Sequence, residues 1–229
     1  MTGVRARVRA ELTSEITASA RRQIATDGAS SLSLRGIARE LGMASSAIYR
    51  YFPGRDELLT VLIVEAYDTF GMIAEQADAG MERDDFRGRW TAVCDAAFDW
   101  ARANTAEYAL IFGTPIPGYV APEDTIGPAS RFTGVLTSIL VDASSSGLSV
   151  SPAPLISKAT TRDLRALGAQ IDGRVADPTL FLGFHAWTSL IGTISIILFG
   201  HLHKVLDDHE AFFADVVRRL GDELFGAHS

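Results

Sequence analysis

Apolar residues recur through most of this chain at intervals of three and four, the spacing that lays a stripe along one face of an α-helix. Leu12, Ile16, Ala20 and Ile24 form the first stripe, and Gly28 is placed to end it. Ser33 offers an N-cap to a second segment, where Leu34, Ile37, Ala38 and Leu41 follow at i, i+3, i+4 and i+7 before Gly42. After a short turn, Ser45 can cap a third, very short helix running to about Tyr51 and closed by Pro53-Gly54. A long helix starts at Arg55 or Asp56, carries Leu59, Leu62, Ile63, Ala66, Phe70 and Ile73, and fades near Gly80.

Helical spacing continues over 90–103, 108–112, 127–143 and 162–171. Between these, Thr114-Pro115-Ile116-Pro117-Gly118-Tyr119 reads as a loop, and 144–154, small and polar with two prolines, as a flexible one. Two further helices are expected, an apolar one over 178–203 and an amphipathic one over 208–225. Period-two alternation flanked by hairpin turns is almost absent. The pattern predicts an all-α protein of about nine to ten helices.

Charge sharpens that picture. The whole chain carries −7, which argues against a polyanionic partner, but residues 1–55 hold nine arginines against four acids, a head of +5 on a body of −12. Such asymmetry suits a molecule that meets nucleic acid at one end, with the acidic body repelled from it. Arg5, Arg7 and Arg9 alternate ahead of the first stripe. They read either as an arm along a DNA backbone or minor groove, or as a solvated tail.

Two short helices joined by a Gly-containing turn form the helix-turn-helix pattern. On the third segment Ala47, Ile48 and Phe52 can pack inward, leaving Ser45, Ser46, Tyr49 and Arg50 outward. Short hydroxyl side chains let a helix sit deep in a major groove. Arginine can fork onto guanine O6/N7, and a tyrosine ring can lie on a thymine methyl or donate to phosphate. Arg35 opens the second helix, where backbone amides also point at phosphate.

The run LSLRGIARELGMASSAIYRYFPGRDELL, from Leu32 through Leu59, resembles the DNA-binding domain of the TetR family of repressors. The likeness extends without a gap from Leu12 to Leu62. It implies groove-facing residues at Ser33, Arg35, Ala44, Ser45, Ser46, Tyr49, Arg50 and Tyr51, with Arg55 at a phosphate-contacting helix start. It also implies double-stranded DNA as partner, read as a palindrome by a homodimer, and a division into a DNA-binding domain over 1–55 and a helical ligand-binding and dimerisation domain over 56–229.

In the body, the 26 residues between Asp177 and Lys204 include no Asp, Glu, Lys or Arg. That length could span a membrane, but it contains His185, Thr188, Ser189, Thr193, Ser195, His201 and three glycines. No membrane role is therefore expected; the helix is read as buried against its own body and a second copy. The family resemblance implies that 178–203 and 208–225 dimerise. The C-terminal part also resembles the subgroup with a Trp-x-x-x-His-Gly signature. Trp187 and Gly192 match it, but Ile191 stands at the histidine position, so no histidine role transfers.

Phe70, Trp90, Cys94, Phe98, Tyr108, Phe112, Phe132, His185 and Trp187 are the candidate lining of a pocket for an apolar or aromatic small molecule, with His185 and Tyr108 as its polar contributors. The five histidines offer no metal site, since His201 and His203, two apart, lie on different helix faces. Nor is there a phosphate loop, nucleophile elbow or paired apolar carboxylates, so no cofactor and no enzyme is expected. A bare protein-interaction bundle would leave the +5 head unexplained, while transcriptional activation would use the same head as repression. The N-terminus is arginine-rich rather than an apolar leader, and the expected compartment is the cytoplasm.

Overall fold

The computed structural model describes residues 2–148, 155–169, 173 and 175–226. Among these it contains nine α-helices and no strand, so the all-α expectation holds. The helices are α1 (Thr2–Asp27), α2 (Leu34–Glu40), α3 (Arg55–Ala79), α4 (Phe86–Ala103), α5 (Thr105–Phe112), α6 (Ile126–Ser145), α7 (Lys158–Gly168), α8 (Asp177–Leu198) and α9 (His209–Phe225). Single 3-10 turns occupy Ala29–Ser31, Ile48–Arg50 and Glu123–Thr125.

The chain divides into two compact units, Met1–Asp68 with Asn104–Ala129, and Thr69–Ala103 with Ser130–Ser229. In the first, Ile16, Ala20, Ile37, Ile48, Leu58 and Leu59 form a core from which solvent is almost excluded. Ser33 caps α2 through its hydroxyl, which accepts from Gly36 N at 3.2 Å. Gly42 ends α2 at φ 65°, letting the Met43 amide reach back to Ala38 O at 2.8 Å. The loop around Tyr119 packs against this core, and the Tyr119 hydroxyl lies 2.9 Å from Thr60 Oγ1 on α3.

In the second unit α8 packs on α9, α4 and α7, and α4 packs on α9. The Phe98 and Phe213 rings stack at 4.1 Å, and Trp90 Nε1 donates to Val217 O at 2.9 Å. A Cβ on Gly221 would lie 3.2 Å from the Trp90 ring, which accounts for the small residue there.

Four boundaries differ from the sequence expectation. Arg5, Arg7 and Arg9 do not precede the first helix but lie inside α1, because a run of Arg, Ala, Glu and Leu without proline favours helix from its start. The third segment is a turn leading into the 3-10 turn Ile48–Arg50, and no side chain caps it, Ser45 included. α8 stops at Leu198 rather than near His203, because Gly200 adopts φ 77° and the His201 amide closes onto Ile196 O. The flexible loop expected from 144 begins later, since α6 runs through Ser145; its residues 149–154, like Ile171 and His228, lie outside the described residues.

α8 is long and apolar enough by composition to cross a membrane. Its Ala186, Leu190, Ile194 and Ile197 are buried instead within the second unit.

Candidate functional site

The turn after α2 sorts its side chains by burial. Ile48 is fully buried and Phe52 nearly so, while Ala44, Ser45, Ser46, Tyr49 and Arg50 are exposed, Tyr49 by 43%. The anchors hold the backbone, and the hydroxyls, phenol and guanidinium are left outward together. Ser33 and Arg35 are exposed at the start of α2. Tyr51 is half-buried, with the Arg9 guanidinium 5.4 Å over its ring, and Arg9 Nη2 donates to Arg50 O at 3.2 Å. The α1 arginine thus clamps the turn that carries Tyr49 and Arg50, a role that sequence spacing alone did not reveal.

A second clamp sets α2 on α1. Ser19 Oγ donates to Glu40 Oε2 and Arg22 Nη2 to Glu40 Oε1, both at 2.6 Å. The Ser19 hydroxyl and then the Arg22 guanidinium hold the Glu40 carboxyl below its usual range. Arg55, expected at a phosphate, is half-buried and turned inward. Its Nη2 donates to Ala29 O at 3.0 Å and to Ser30 O at 3.4 Å. The guanidinium therefore secures the connection between α1 and α2.

The nine candidate lining residues of the body do not converge on one cavity. Tyr108 and Phe112 belong to the first compact unit, where their ring centroids are 5.1 Å apart. Trp90, Cys94 and Phe98 are buried on α4, and burial pushes the Cys94 thiol well above its ordinary value. Phe70 and Phe132 stack at 4.5 Å between α3 and α6. His185 is half exposed, with Nδ1 3.6 Å from Glu223 Oε2. Only Trp187 of the nine lines the cavity that the second unit holds between α6, α7 and α8.

That cavity has a volume of about 270 Å³ and is lined by Thr133, Leu136, Thr137 and Leu140 of α6, Leu167 of α7, and Leu180, Gly183, Phe184 and Trp187 of α8. A Cβ on Gly183 would meet Leu140 Cδ1 at 2.5 Å, so glycine sets the approach of α8 to α6. α6 was legible as a helix, but nothing in its spacing marked which flank faces a cavity.

The same unit holds an ionic knot that sequence reasoning missed. The fully buried Arg89 side chain donates from Nε to Asp78 Oδ1 at 2.7 Å and from Nη1 to Asp142 Oδ2 at 2.8 Å. It joins the end of α3 to α4 and α6, and Arg83 adds a bond to Asp78 Oδ2 at 2.9 Å. Arg131 on α6 makes a two-pronged pair with Glu75 on α3, with a Cβ on Gly71 placed 2.5 Å from Arg131 Cβ.

Comparison with known proteins agrees with the two-part geometry. Residues 16–62 match the family model described as bacterial regulatory proteins, tetR family, and residues 90–220 match the one described as tetracyclin repressor-like, C-terminal domain. The chain belongs to the TetR family of transcriptional regulators. HTH-type transcriptional regulators of Mycobacterium tuberculosis and Mycobacterium bovis are 36% identical to it over 208 residues, 86% of this chain and 85% of theirs. The crystal structure of the regulatory protein SCO4313 superposes with a TM-score of 0.73 at 33% identity, covering 93% of this chain and 97% of that one. A TetR-family regulator from Shewanella sp. PV-4 shares the fold at 16% identity, with a TM-score of 0.61 over 94% of this chain and 98% of its own. The exposed Tyr49 and Arg50 lie inside the TetR DNA-binding match, and the cavity and the ionic knot's Asp142 inside the C-terminal one.

Proposed function

We propose that this TetR-family regulator is a ligand-responsive cytoplasmic repressor that binds a palindromic operator as a homodimer. The observation that carries the reading is the exposed set Ser45, Ser46, Tyr49 and Arg50, fixed on a turn whose Ile48 is fully buried. Arg50 and Tyr49 read base edges in the major groove; Ser33, Arg35, Ala44, Ser45, Ser46 and Tyr51 line the approach. Residues 1–55 form the DNA-binding domain and 56–229 the ligand-binding and dimerisation domain. Arg7 and Arg9, near the positive end of α1, add backbone charge. Arg55, turned onto Ala29 and Ser30, supports that surface by holding its backbone.

Dimerisation uses α8 and α9. Phe184, Ile196 and Phe199 are each more than 40% exposed, an apolar surface that a second copy would cover. The effector enters the cavity against α6, and the differential affinity of that ligand for two body states sets how far operator binding weakens. The Asp142–Arg89–Asp78 knot and the Arg131–Glu75 pair tie α6 to α3, and α3 continues unbroken to Arg55. This gives a displacement of α6 a physical route to α3.

The test is fluorescence anisotropy with duplexes from the region upstream of the protein's own gene. A palindromic fragment should bind with a steep salt dependence, and Arg50→Ala should remove the preference for it. Equal binding of all duplexes by the native protein and by Arg50→Ala would overturn the reading.

A further inference from the structure

We propose that the α6–α7–α8 cavity takes a compact, uncharged, largely apolar molecule of about two fused rings, and that this molecule carries a hydrogen-bond acceptor for the Trp187 indole N–H. The inference rests on the ligand-responsive reading and names the chemistry that reading leaves open.

The volume sets the size. At about 270 Å³ the space exceeds the roughly 150 Å³ in which benzene is held by an engineered apolar cavity. It falls just under the range of about 300–1,000 Å³ typical of drug-sized ligands. The lining sets the polarity: leucines, Phe184, Gly183, two threonines and Trp187, with no Asp, Glu, Lys, Arg or His among them. A charged ligand would lose its hydration there without an ion to replace it.

Polar complementarity follows from what each group already does. The Thr137 hydroxyl donates to Thr133 O at 2.8 Å, and the Thr133 hydroxyl to Ser130 O at 3.0 Å. Both protons are committed to α6 itself, leaving lone pairs that can only accept. Trp187 Nε1 is the opposite case. It is buried and donates to nothing among the described residues, although its ring is fixed edge-on to Phe184 at 6.1 Å. An indole N–H is a donor only, and leaving it buried and unpaired costs stability that an acceptor on a bound molecule would restore. The cavity therefore selects for an acceptor at one end of an apolar body.

Two probes isolate this. In 2-acetylnaphthalene a carbonyl oxygen stands where 2-ethylnaphthalene has two hydrogens, and the molecules are otherwise alike in size. In calorimetric titrations of the full chain, the ketone should bind roughly three- to tenfold more tightly than the hydrocarbon, the range that one net hydrogen bond supplies. Trp187→Phe should bring the ratio to about one while still binding the hydrocarbon. Because that variant could fail to fold, ¹H–¹⁵N spectra of the native protein supply a second measurement. One of its three indole N–H signals should move downfield with the ketone and stay with the hydrocarbon.

Binding of neither probe, equal affinities, a ratio that survives Trp187→Phe, or an indole signal indifferent to the carbonyl would each overturn the proposal. Running the same titrations with an operator duplex bound separates the two readings. Ketone binding at Trp187 with the duplex still held would sink ligand-responsive repression and leave the cavity assignment standing.

Discussion

The DNA-facing turn and the body cavity solve opposite problems with similar parts. In the first, apolar anchors are buried so that Tyr49 and Arg50 can be presented to solvent. In the second, a tryptophan donor and two threonines are kept out of solvent among leucines. The difference is one of error tolerance. An exposed guanidinium is hydrated whether or not DNA is present, so its surroundings need only hold the backbone. A buried polar group costs free energy unless it is matched, so its surroundings must be right atom by atom. The head is therefore held by a few clamps, Ser19–Glu40–Arg22 and Arg9–Arg50, whereas the body is tied by a buried ionic knot.

The comparison breaks most sharply at Arg89. Removing its side chain leaves Asp78 and Asp142 without their central cation, and Arg89→Ala should destabilise the protein by about 3–5 kcal/mol. Urea unfolding of the isolated variant would measure this; a loss below about 1 kcal/mol would show the knot to be dispensable. In the head the corresponding deletion acts on binding and not on folding. Arg50→Ala should weaken operator binding by about 1–3 kcal/mol per head, read by anisotropy, with an unchanged melting curve.

Acid should distinguish the two regions next. Burial pushes the Asp78 carboxyl up, but hydrogen bonds from Arg89 and Arg83 outweigh that and leave it below its ordinary value. A depressed folded value means that its stabilisation is complete above the unfolded carboxylate value of about 4 and is lost as pH falls through the folded one. Melting temperature should thus hold to about pH 5 and fall below about pH 4. Asp78→Asn should melt lower at neutral pH, with a flatter acid limb. An acid limb of undiminished slope in that variant would place the sensitive group elsewhere.

Smaller effects belong to the head. Ser33→Ala removes the α2 cap, and chemical denaturation should register a cost of about 1 kcal/mol. Arg9→Ala should leave stability nearly unchanged but reduce the slope of log affinity against log salt by about one for each phosphate that Arg9 neutralises. An unaltered slope would restrict Arg9 to its contacts with Arg50 and Tyr51.

How much was legible follows the same division. The stripe Ile16, Ala20 and Ile24, the Ser33 cap and the left-handed Gly28 and Gly42 are local features written at fixed spacings, and they appear where spacing puts them. The outward set at Ser45, Ser46, Tyr49 and Arg50 is likewise a matter of which face a buried Ile48 leaves over. The pocket lining was not legible, because aromatic character says that a residue is buried without saying against what. Phe70 met Phe132 and Trp100, Phe98 met Phe213, and Trp90 met the Val217 carbonyl, so each became core.

By itself, then, the sequence determined the helical class, the punctuation of the head, the charge asymmetry and the outward Tyr49–Arg50 face. All of these depend on residues within a few turns of one another. Only the tertiary structure decided that Arg89 joins Asp78 to Asp142, that Arg55 turns inward, and that Trp187 shares a cavity with Thr133 and Thr137. Those pairings span 11 to 54 positions. At such separations no helical period relates the partners, and close packing of whole helices selects which side chains meet.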